Sequence, residues 1–143
     1  MQDFEQLGAF YVGHRYDVER GAETSEPVLY DAKDLTTHAV AVGMTGSGKT
    51  GLGIGLIEEA VIDGIPILAI DPKADLGNLL LTFPALEAGD FRPWIDELEA
   101  ARHGRTPDEH ARWTADLWRS GLAGSGQDGA RVGRFAAAVD RTI

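Results

Sequence analysis

The sequence predicts an α/β fold in which a parallel sheet is flanked by helices. Residues 38–42 form a short apolar run with β-branched side chains, which is typical of a buried strand. Apolar residues then recur at helical spacing over 52–61, and Gly64 stands where a helix would end. A second apolar run, 65–70, follows directly. Two such runs joined by one helix predict a βαβ unit with parallel strands and a right-handed crossover.

A glycine-rich segment, 43–50, separates the first predicted strand from the helix. Its sequence, Gly-Met-Thr-Gly-Ser-Gly-Lys-Thr, fits the phosphate-binding P-loop pattern G-x-x-x-x-G-K-[ST]. Glycine lets the backbone turn where a Cβ would clash, so successive N–H groups can point at phosphate oxygens. The positive end of the following helix faces the same anion. The order of strand, loop and helix therefore predicts a nucleotide site at this loop.

This loop supplies the predicted ligands of the nucleotide and its metal ion. Lys49 is the predicted catalytic residue, because its ammonium group can reach the β- and γ-phosphates. The Thr50 hydroxyl is expected on Mg²⁺, and Asp71, which ends the second apolar run, is a further candidate metal ligand. Asp71 has an open alternative role in organising its loop or in coupling to substrate. The residues predicted to bind the nucleotide are Gly43, Thr45, Gly46, Ser47, Gly48, Lys49 and Thr50.

Composition limits the classes of function. The 143 residues suffice for one domain or for part of a larger one, and the absence of cysteine excludes disulfides and thiolate metal sites. The acidic N-terminus lacks an apolar run, and no stretch approaches the roughly 20 apolar residues of a membrane span. We therefore expect a cytoplasmic protein. A net charge of −10 argues against a self-contained nucleic-acid binder, which would show a basic face.

The remaining segments predict two short strands before the P-loop and helices after it. Residues 10–13 and 28–30 are strand candidates, with a loop over 21–27 between them. Thr106, Pro107 and Glu109 form a helix start with a capping box. The predicted helices cover about 93–103, 106–121 and 129–138, and 139–143 resembles the beginning of another strand.

These segments predict a division into two parts. Residues 1–27 are expected to form an N-terminal extension with short strands. Residues 28–143 are expected to form the N-terminal portion of a nucleotide-binding domain, with a helical insertion at about 84–138. Two parallel strands are fewer than the four or more of a doubly wound sheet, so the chain is interpreted as a fragment.

The P-loop helix carries two further expectations. Its carboxylates at Glu58, Glu59 and Asp63 are expected on the solvent side, opposite the apolar stripe. Glycine in a helix costs about 1 kcal/mol relative to alanine. A neighbouring strand is therefore expected to approach closely at three positions, which are Gly51, Gly53 and Gly55.

The residues around the P-loop resemble the HerA–FtsK group of P-loop ATPases. The resemblance covers about 28–83 and rests on Leu35-Thr36-Thr37-His38, the loop itself, and the apolar run that ends in Asp71-Pro72-Lys73. The chain is similar, more narrowly, to bacterial HerA-like ATP-binding proteins. This resemblance implies a RecA-like P-loop NTPase core that binds ATP and Mg²⁺. It further implies a homo-oligomer, usually a hexameric ring, that acts as a helicase or DNA translocase and contacts double-stranded DNA through regions outside this chain.

Two departures from that group leave alternatives open. No Walker B Asp-Glu pair and no arginine finger are recognisable, so hydrolysis by this chain alone stays open. Lys73-Ala74-Asp75 stands where Lys-Gly-Asp is expected. A nucleotide or small-molecule kinase, with Asp71 near the acceptor, is one alternative function. A non-catalytic nucleotide-binding module is the other.

Overall fold

A computed structural model describes residues 7–140, which group into two compact units. One unit comprises the described parts of Met1–Leu81 and Ala138–Ile143, and the other is Thr82–Ala137. Within 7–140, no helix combines the length and the apolar character needed to cross a bilayer. The strands are β1 (Ala9–Asp17) and β2 (Ala22–Asp31); the helices are α1 (Lys49–Ile62), α2 (Ala88–Phe91), α3 (Glu97–Arg102), α4 (Pro107–Gly124) and α5 (Gly129–Ala138). Short 3-10 turns cover Ala32–Thr36, Gly77–Leu80 and Arg92–Trp94.

Strands β1 and β2 form an antiparallel hairpin in the first unit. Tyr11 lies opposite Leu29, and the pairing extends to Asp17 opposite Ala22. The two predicted strands are confirmed, but the loop predicted over 21–27 is wrong, because most of that segment belongs to β2. Its polar residues pair across the hairpin instead. The Thr24 hydroxyl, for example, donates to the main-chain oxygen of Arg15 at 2.9 Å.

The predicted parallel sheet is not seen among residues 7–140, whose sheet is the antiparallel hairpin. Residues 38–42 and 65–70 carry no strand, so the P-loop NTPase sheet expected from them is corrected to a small α/β arrangement. Parallel strands need neighbours at their edges and helices over both faces. Here the two segments lack that cover, and four apolar side chains are 85–91% exposed: Val40, Val42, Leu68 and Ile70.

Helix α1 begins at Lys49 and ends at Ile62, close to the bounds that the sequence predicts. Gly64 adopts φ +74°, the left-handed conformation expected of a residue that terminates a helix. The expectation that Glu59 lies on the solvent side is wrong, because this side chain is only 7% exposed. Its carboxylate accepts a hydrogen bond from the main-chain N–H of Tyr11 in β1, at 3.0 Å. A buried polar contact with β1 therefore helps to fix this face of the helix.

The glycines of α1 stand in open space among the described residues. A Cβ added at Gly51, Gly53 or Gly55 would meet no atom within 4 Å, so the predicted close approach of a strand is not observed. We expect Gly53→Ala to raise the free energy of unfolding by about 1 kcal/mol, because alanine loses less backbone entropy in a helix. Urea unfolding followed by far-UV circular dichroism measures this change. A lower stability in the variant would show that an atom does approach this position.

The second unit is a cluster of helices around a small apolar core. Phe91, Leu86 and Ala115 are buried at its centre, and Phe83 and Leu122 pack against them. The predicted helix over 93–103 is divided into a 3-10 turn and α3, because Asp96 caps α3 and accepts from the N–H groups of Leu98 and Glu99. Helices α4 and α5 are confirmed, α4 extending to Gly124. Of the strand predicted over 139–143, residues 139–140 are not in a strand, and the rest lies outside the described residues.

The start of α4 has the predicted capping box. The Thr106 hydroxyl accepts from the N–H of Glu109, and the Glu109 carboxylate accepts from the N–H of Thr106 at 2.8 Å and from its hydroxyl at 2.9 Å. The hydrogen bond from the Thr106 N–H, followed by that from its hydroxyl, holds the pKa of Glu109 below its ordinary value. Replacing an N-cap threonine by alanine costs about 1 kcal/mol.

We therefore expect Thr106→Ala to lower the stability of the second unit at neutral pH. A carboxyl group whose pKa is lowered by folding stabilises the fold above its unfolded pKa, about 4.3, and this stabilisation is lost as the pH falls through the folded value. The difference between wild type and variant should shrink in that acidic range. Thermal unfolding at pH 7, 5 and 3 tests this, and a difference that is independent of pH would contradict it.

Candidate functional site

The P-loop connects residues 38–42 to α1 through a turn built on two left-handed glycines. Gly46 has φ +80° and Gly48 has φ +87°, conformations that L side chains rarely adopt. The N–H of Ser47 donates to the oxygen of Met44 at 3.1 Å, which closes the turn. Gly48 is the N-cap of α1, and its oxygen accepts from the N–H of Leu52 at 2.9 Å. The backbone thus enters the helix directly from the loop.

The Lys49 side chain folds back over this loop. Its ammonium group donates to the main-chain oxygens of Gly43 at 2.7 Å and Met44 at 2.6 Å, and approaches the Ser47 hydroxyl at 3.5 Å. These acceptors lie at the start of the loop, whereas Lys49 lies at its end. The cation therefore connects the two ends of the loop.

Gly43 does not have a left-handed φ, so backbone conformation does not explain a glycine here. The explanation is steric, because the Ser47 side chain lies close to its Cα. A Cβ at this position would collide with the Ser47 hydroxyl and would lie 3.3 Å from the Cβ of Ser47. The same added atom would lie 3.5 Å from the Lys49 Cγ. The first glycine of the motif therefore makes room for the side chains that return over the loop.

The N-terminal end of α1 is suited to an anion. Its first turn contains no acidic residue, and no side chain caps it. The first N–H groups of a helix have no partner within the helix, and the helix dipole places partial positive charge there. Thr50 lies in this turn and is exposed, and Thr45 is exposed in the loop before it. All seven predicted nucleotide-binding residues thus lie in one loop and the adjoining helical turn.

Asp71 organises the loop that follows residues 65–70. One carboxylate oxygen accepts from the N–H of Asp75 at 3.1 Å and the other from the N–H of Leu76 at 2.8 Å. The hydrogen bond from Leu76 is the main cause that lowers the pKa of Asp71 from its ordinary value. Within this turn Ala74 has φ +57°, so its backbone is in the region that glycine prefers. These contacts support the loop-organising alternative for Asp71.

The chemistry of the site suits Mg²⁺ held mainly by a nucleotide. Mg²⁺ is usually bound by one or two protein oxygens together with substrate phosphates and water. Among residues 7–140, no three His, Cys, Asp or Glu side chains are grouped as a metal site. Both carboxylate oxygens of Asp71 accept from main-chain N–H groups of its own loop, and no hydrogen bond joins Asp71 to Thr50 within that range.

Two features near the ends of helices could not be predicted from motifs. Asp63, one residue beyond α1, accepts from the N–H of Gly8 at 2.8 Å, beside the buried Glu59 contact. In the second unit, the rings of His103 and His110 stack with centroids 5.7 Å apart. For the contacts of Asp63 and Glu59, the sequence offers one signal: both carboxylates lie at the C-terminal end of α1, where the helix dipole disfavours negative charge.

An exposed ion pair lies in the Asp71 loop. Lys73 and Asp75 lie 3.1 Å apart with side chains 78% and 41% exposed. A pair this exposed contributes at most about 1 kcal/mol.

Comparison with known proteins gives one family. The sequence family described as Helicase HerA, central domain, matches residues 11–108. No curated protein and no solved structure shows significant similarity to the chain. The match includes the P-loop, α1 and the Asp71 loop, and it extends over more than half of the 143 residues. The resemblance to HerA-like proteins is thereby confirmed, and the chain belongs to the family of the HerA helicase central domain.

Proposed function

We propose that this chain is the nucleotide-binding part of an ATP-hydrolysing motor of the HerA–FtsK type. The observation that carries the proposal is the position of Lys49, whose ammonium group bridges the main-chain oxygens of Gly43 and Met44 over the glycine turn. A cation in that place can meet the β- and γ-phosphates without reorganising the loop. Membership of the HerA family supports ATP as the nucleotide.

Each residue of the loop has a defined part in this function. The N–H groups between Thr45 and Thr50 bind phosphate oxygens, and Lys49 offsets negative charge on the phosphoryl group as it is transferred. The Thr50 hydroxyl and, through water, Asp71 are the protein ligands proposed for Mg²⁺. Mg²⁺ held there would offset the negative charge of the phosphates. Hydrolysis transfers the γ-phosphoryl group from ATP to a water molecule: the water oxygen forms a bond to the γ-phosphorus, the bond to the bridging oxygen breaks, and ADP and inorganic phosphate are released.

The proposed biological role is the translocation or processing of double-stranded DNA by a homo-hexamer in the cytoplasm. The net charge of −10 supports the proposal that DNA contacts are made outside this chain, because binding to phosphates needs a basic face. Ring assembly would bring a second subunit close to the nucleotide.

Calorimetric titration of the chain with ATP and with GTP, each with and without Mg²⁺, tests the proposal. We expect binding of ATP that strengthens with Mg²⁺, and little phosphate release in the same samples, with or without double-stranded DNA. The absence of ATP binding would overturn the proposal. Transfer of phosphate to an added hydroxyl acceptor would indicate a kinase instead. Rapid phosphate release by the chain alone would make Asp71→Asn the next variant to measure.

A further inference from the structure

Gly8 joins the two flanks of the P-loop segment. Its main-chain oxygen accepts from the N–H of Ala32 at 2.8 Å, at the point where β2 ends and the chain turns towards the P-loop. Its N–H donates to the carboxylate of Asp63 at 2.8 Å, just after α1 ends. Gly8 therefore holds together the two ends of the segment 32–63, which includes the whole P-loop.

A second contact reinforces this closure. The Glu59 carboxylate, one helical turn before Asp63, accepts from the N–H of Tyr11 at 3.0 Å in a buried setting. Tyr11 and Phe10 of β1 are themselves 7% and 1% exposed. Gly8 can adopt the required φ of +82° because it has no Cβ. We call the group of Gly8, Tyr11, Glu59 and Asp63 the latch.

The positions of the two carboxylates argue that the latch has a specific role. Helix C-termini favour cations, and α1 has no basic residue in its last turn. Glu59 and Asp63 are placed there against the dipole, and burial adds a desolvation cost for Glu59. Hydrogen bonds from main-chain N–H groups to carboxylates are among the stronger ones and offset this cost. An apolar residue would pack at the same place without these penalties, but it could not bind the edge of β1.

We propose that Glu59 and Asp63 are positioning residues for the P-loop: by fixing the C-terminal end of α1 to β1, they hold the first turn of that helix and the loop in the arrangement that binds nucleotide. Closing the 32–63 segment restricts the conformations open to the chain on both sides of the loop. A ligand that needs an ordered loop then binds more tightly, because less ordering remains to be done. This inference rests on the proposed nucleotide-binding function.

The test compares variants that remove or retain the accepting oxygens. We expect the double variant Glu59→Ala with Asp63→Ala to raise the dissociation constant for Mg²⁺-ATP about tenfold. The double variant Glu59→Gln with Asp63→Asn keeps a carbonyl oxygen at each position and should restore affinity to within about threefold of wild type. Glu19→Ala, at an exposed residue of the hairpin turn, is the control for a lost negative charge. Circular dichroism confirms that each variant is folded.

Amide hydrogen exchange provides a readout that does not need nucleotide. In the alanine variant, the amides of Gly8 and Tyr11 should exchange at least tenfold faster, and so should the Leu52 amide, which closes the first turn of α1 by donating to Gly48. In wild type, coupling is reciprocal, so saturating Mg²⁺-ATP should slow exchange at Gly8 and Tyr11. A merely structural latch would not transmit this effect of the nucleotide.

The outcomes separate the two proposals. Unchanged affinity and unchanged exchange at the first turn of α1 in the alanine variant would overturn the latch while leaving nucleotide binding intact. If wild type fails to bind ATP, the proposed function fails, and exchange at the first turn of α1 still decides whether the latch orders the loop. Faster exchange there with slower exchange of Gly8 under ATP supports both.

Discussion

Lys49→Ala is expected to raise the dissociation constant of this chain for Mg²⁺-ATP about 100-fold. The ammonium group stands over the glycine turn and is already oriented by the main-chain oxygens of Gly43 and Met44. A hydrogen bond to a charged partner is worth about 1.5–3 kcal/mol, and the upper value corresponds to roughly 100-fold in affinity. The variant loses this interaction and leaves the phosphate charge without its nearest cation. Calorimetric titration at fixed ionic strength measures the change.

Two further variants give the result its meaning. Lys33→Ala removes an exposed lysine from the 3-10 turn before the P-loop and should leave affinity within about twofold of wild type, because surface charges are screened by salt. Lys49→Met keeps an unbranched side chain without the charge and should bind as poorly as Lys49→Ala. Equal affinity of wild type and Lys49→Met would show that the cation does not meet the nucleotide.

The P-loop and α1 could be predicted because their determinants are local. Gly46 and Gly48 have left-handed backbone conformations, which favour glycine. Helix α1 begins at Lys49, the lysine of the motif. The capping box of Thr106 and Glu109 is equally local, since its partners are three residues apart. Such features depend on few neighbours, so the order of residue types is sufficient to identify them.

The parallel sheet could not be established in this way, because it depends on partners remote in sequence. The apolar character of 38–42 and 65–70 shows only that these segments are suited to burial, and most of their side chains are exposed here. The length of β2 could not be predicted either. Its first residues are polar, and residues such as Thr24 join the strand through hydrogen bonds across the hairpin. The boundaries proposed near residues 27 and 84 and the assignments of site residues stay predictions.

The latch shows the same limit within the candidate site. The charge pattern predicts that Glu59 faces solvent, because carboxylates on a helix usually face water. Its partner, the N–H of Tyr11, lies 48 residues earlier and offers no signal in the sequence. The buried position follows from tertiary structure alone. The motif therefore predicts the phosphate-binding loop but carries no signal for Glu59 and Asp63.

Gly43→Ala is expected to weaken Mg²⁺-ATP binding about 30-fold, although alanine keeps the backbone intact. The new methyl group would occupy the place of the Ser47 hydroxyl and crowd the Cβ of Ser47. Overpacking of this kind costs about 1–3 kcal/mol, of which about 2 kcal/mol would correspond to the predicted loss. The Ser47 hydroxyl must rotate away, and the loop must give by a few tenths of an ångström where the new methyl group meets the Ser47 Cβ; we expect this to displace the oxygen of Gly43 that orients Lys49.

A second substitution distinguishes this steric mechanism from a general loss of flexibility. Ser47→Gly removes both atoms that the added methyl group would meet most closely, so Gly43→Ala combined with Ser47→Gly should bind several-fold more tightly than Gly43→Ala alone. The two changes should therefore be non-additive, as expected of residues in contact. Additive losses would mean that Gly43 is needed for its backbone freedom and not for the space it leaves. Recovery in the double variant would instead identify the return of Ser47 and Lys49 over the loop as the reason that a glycine begins this motif.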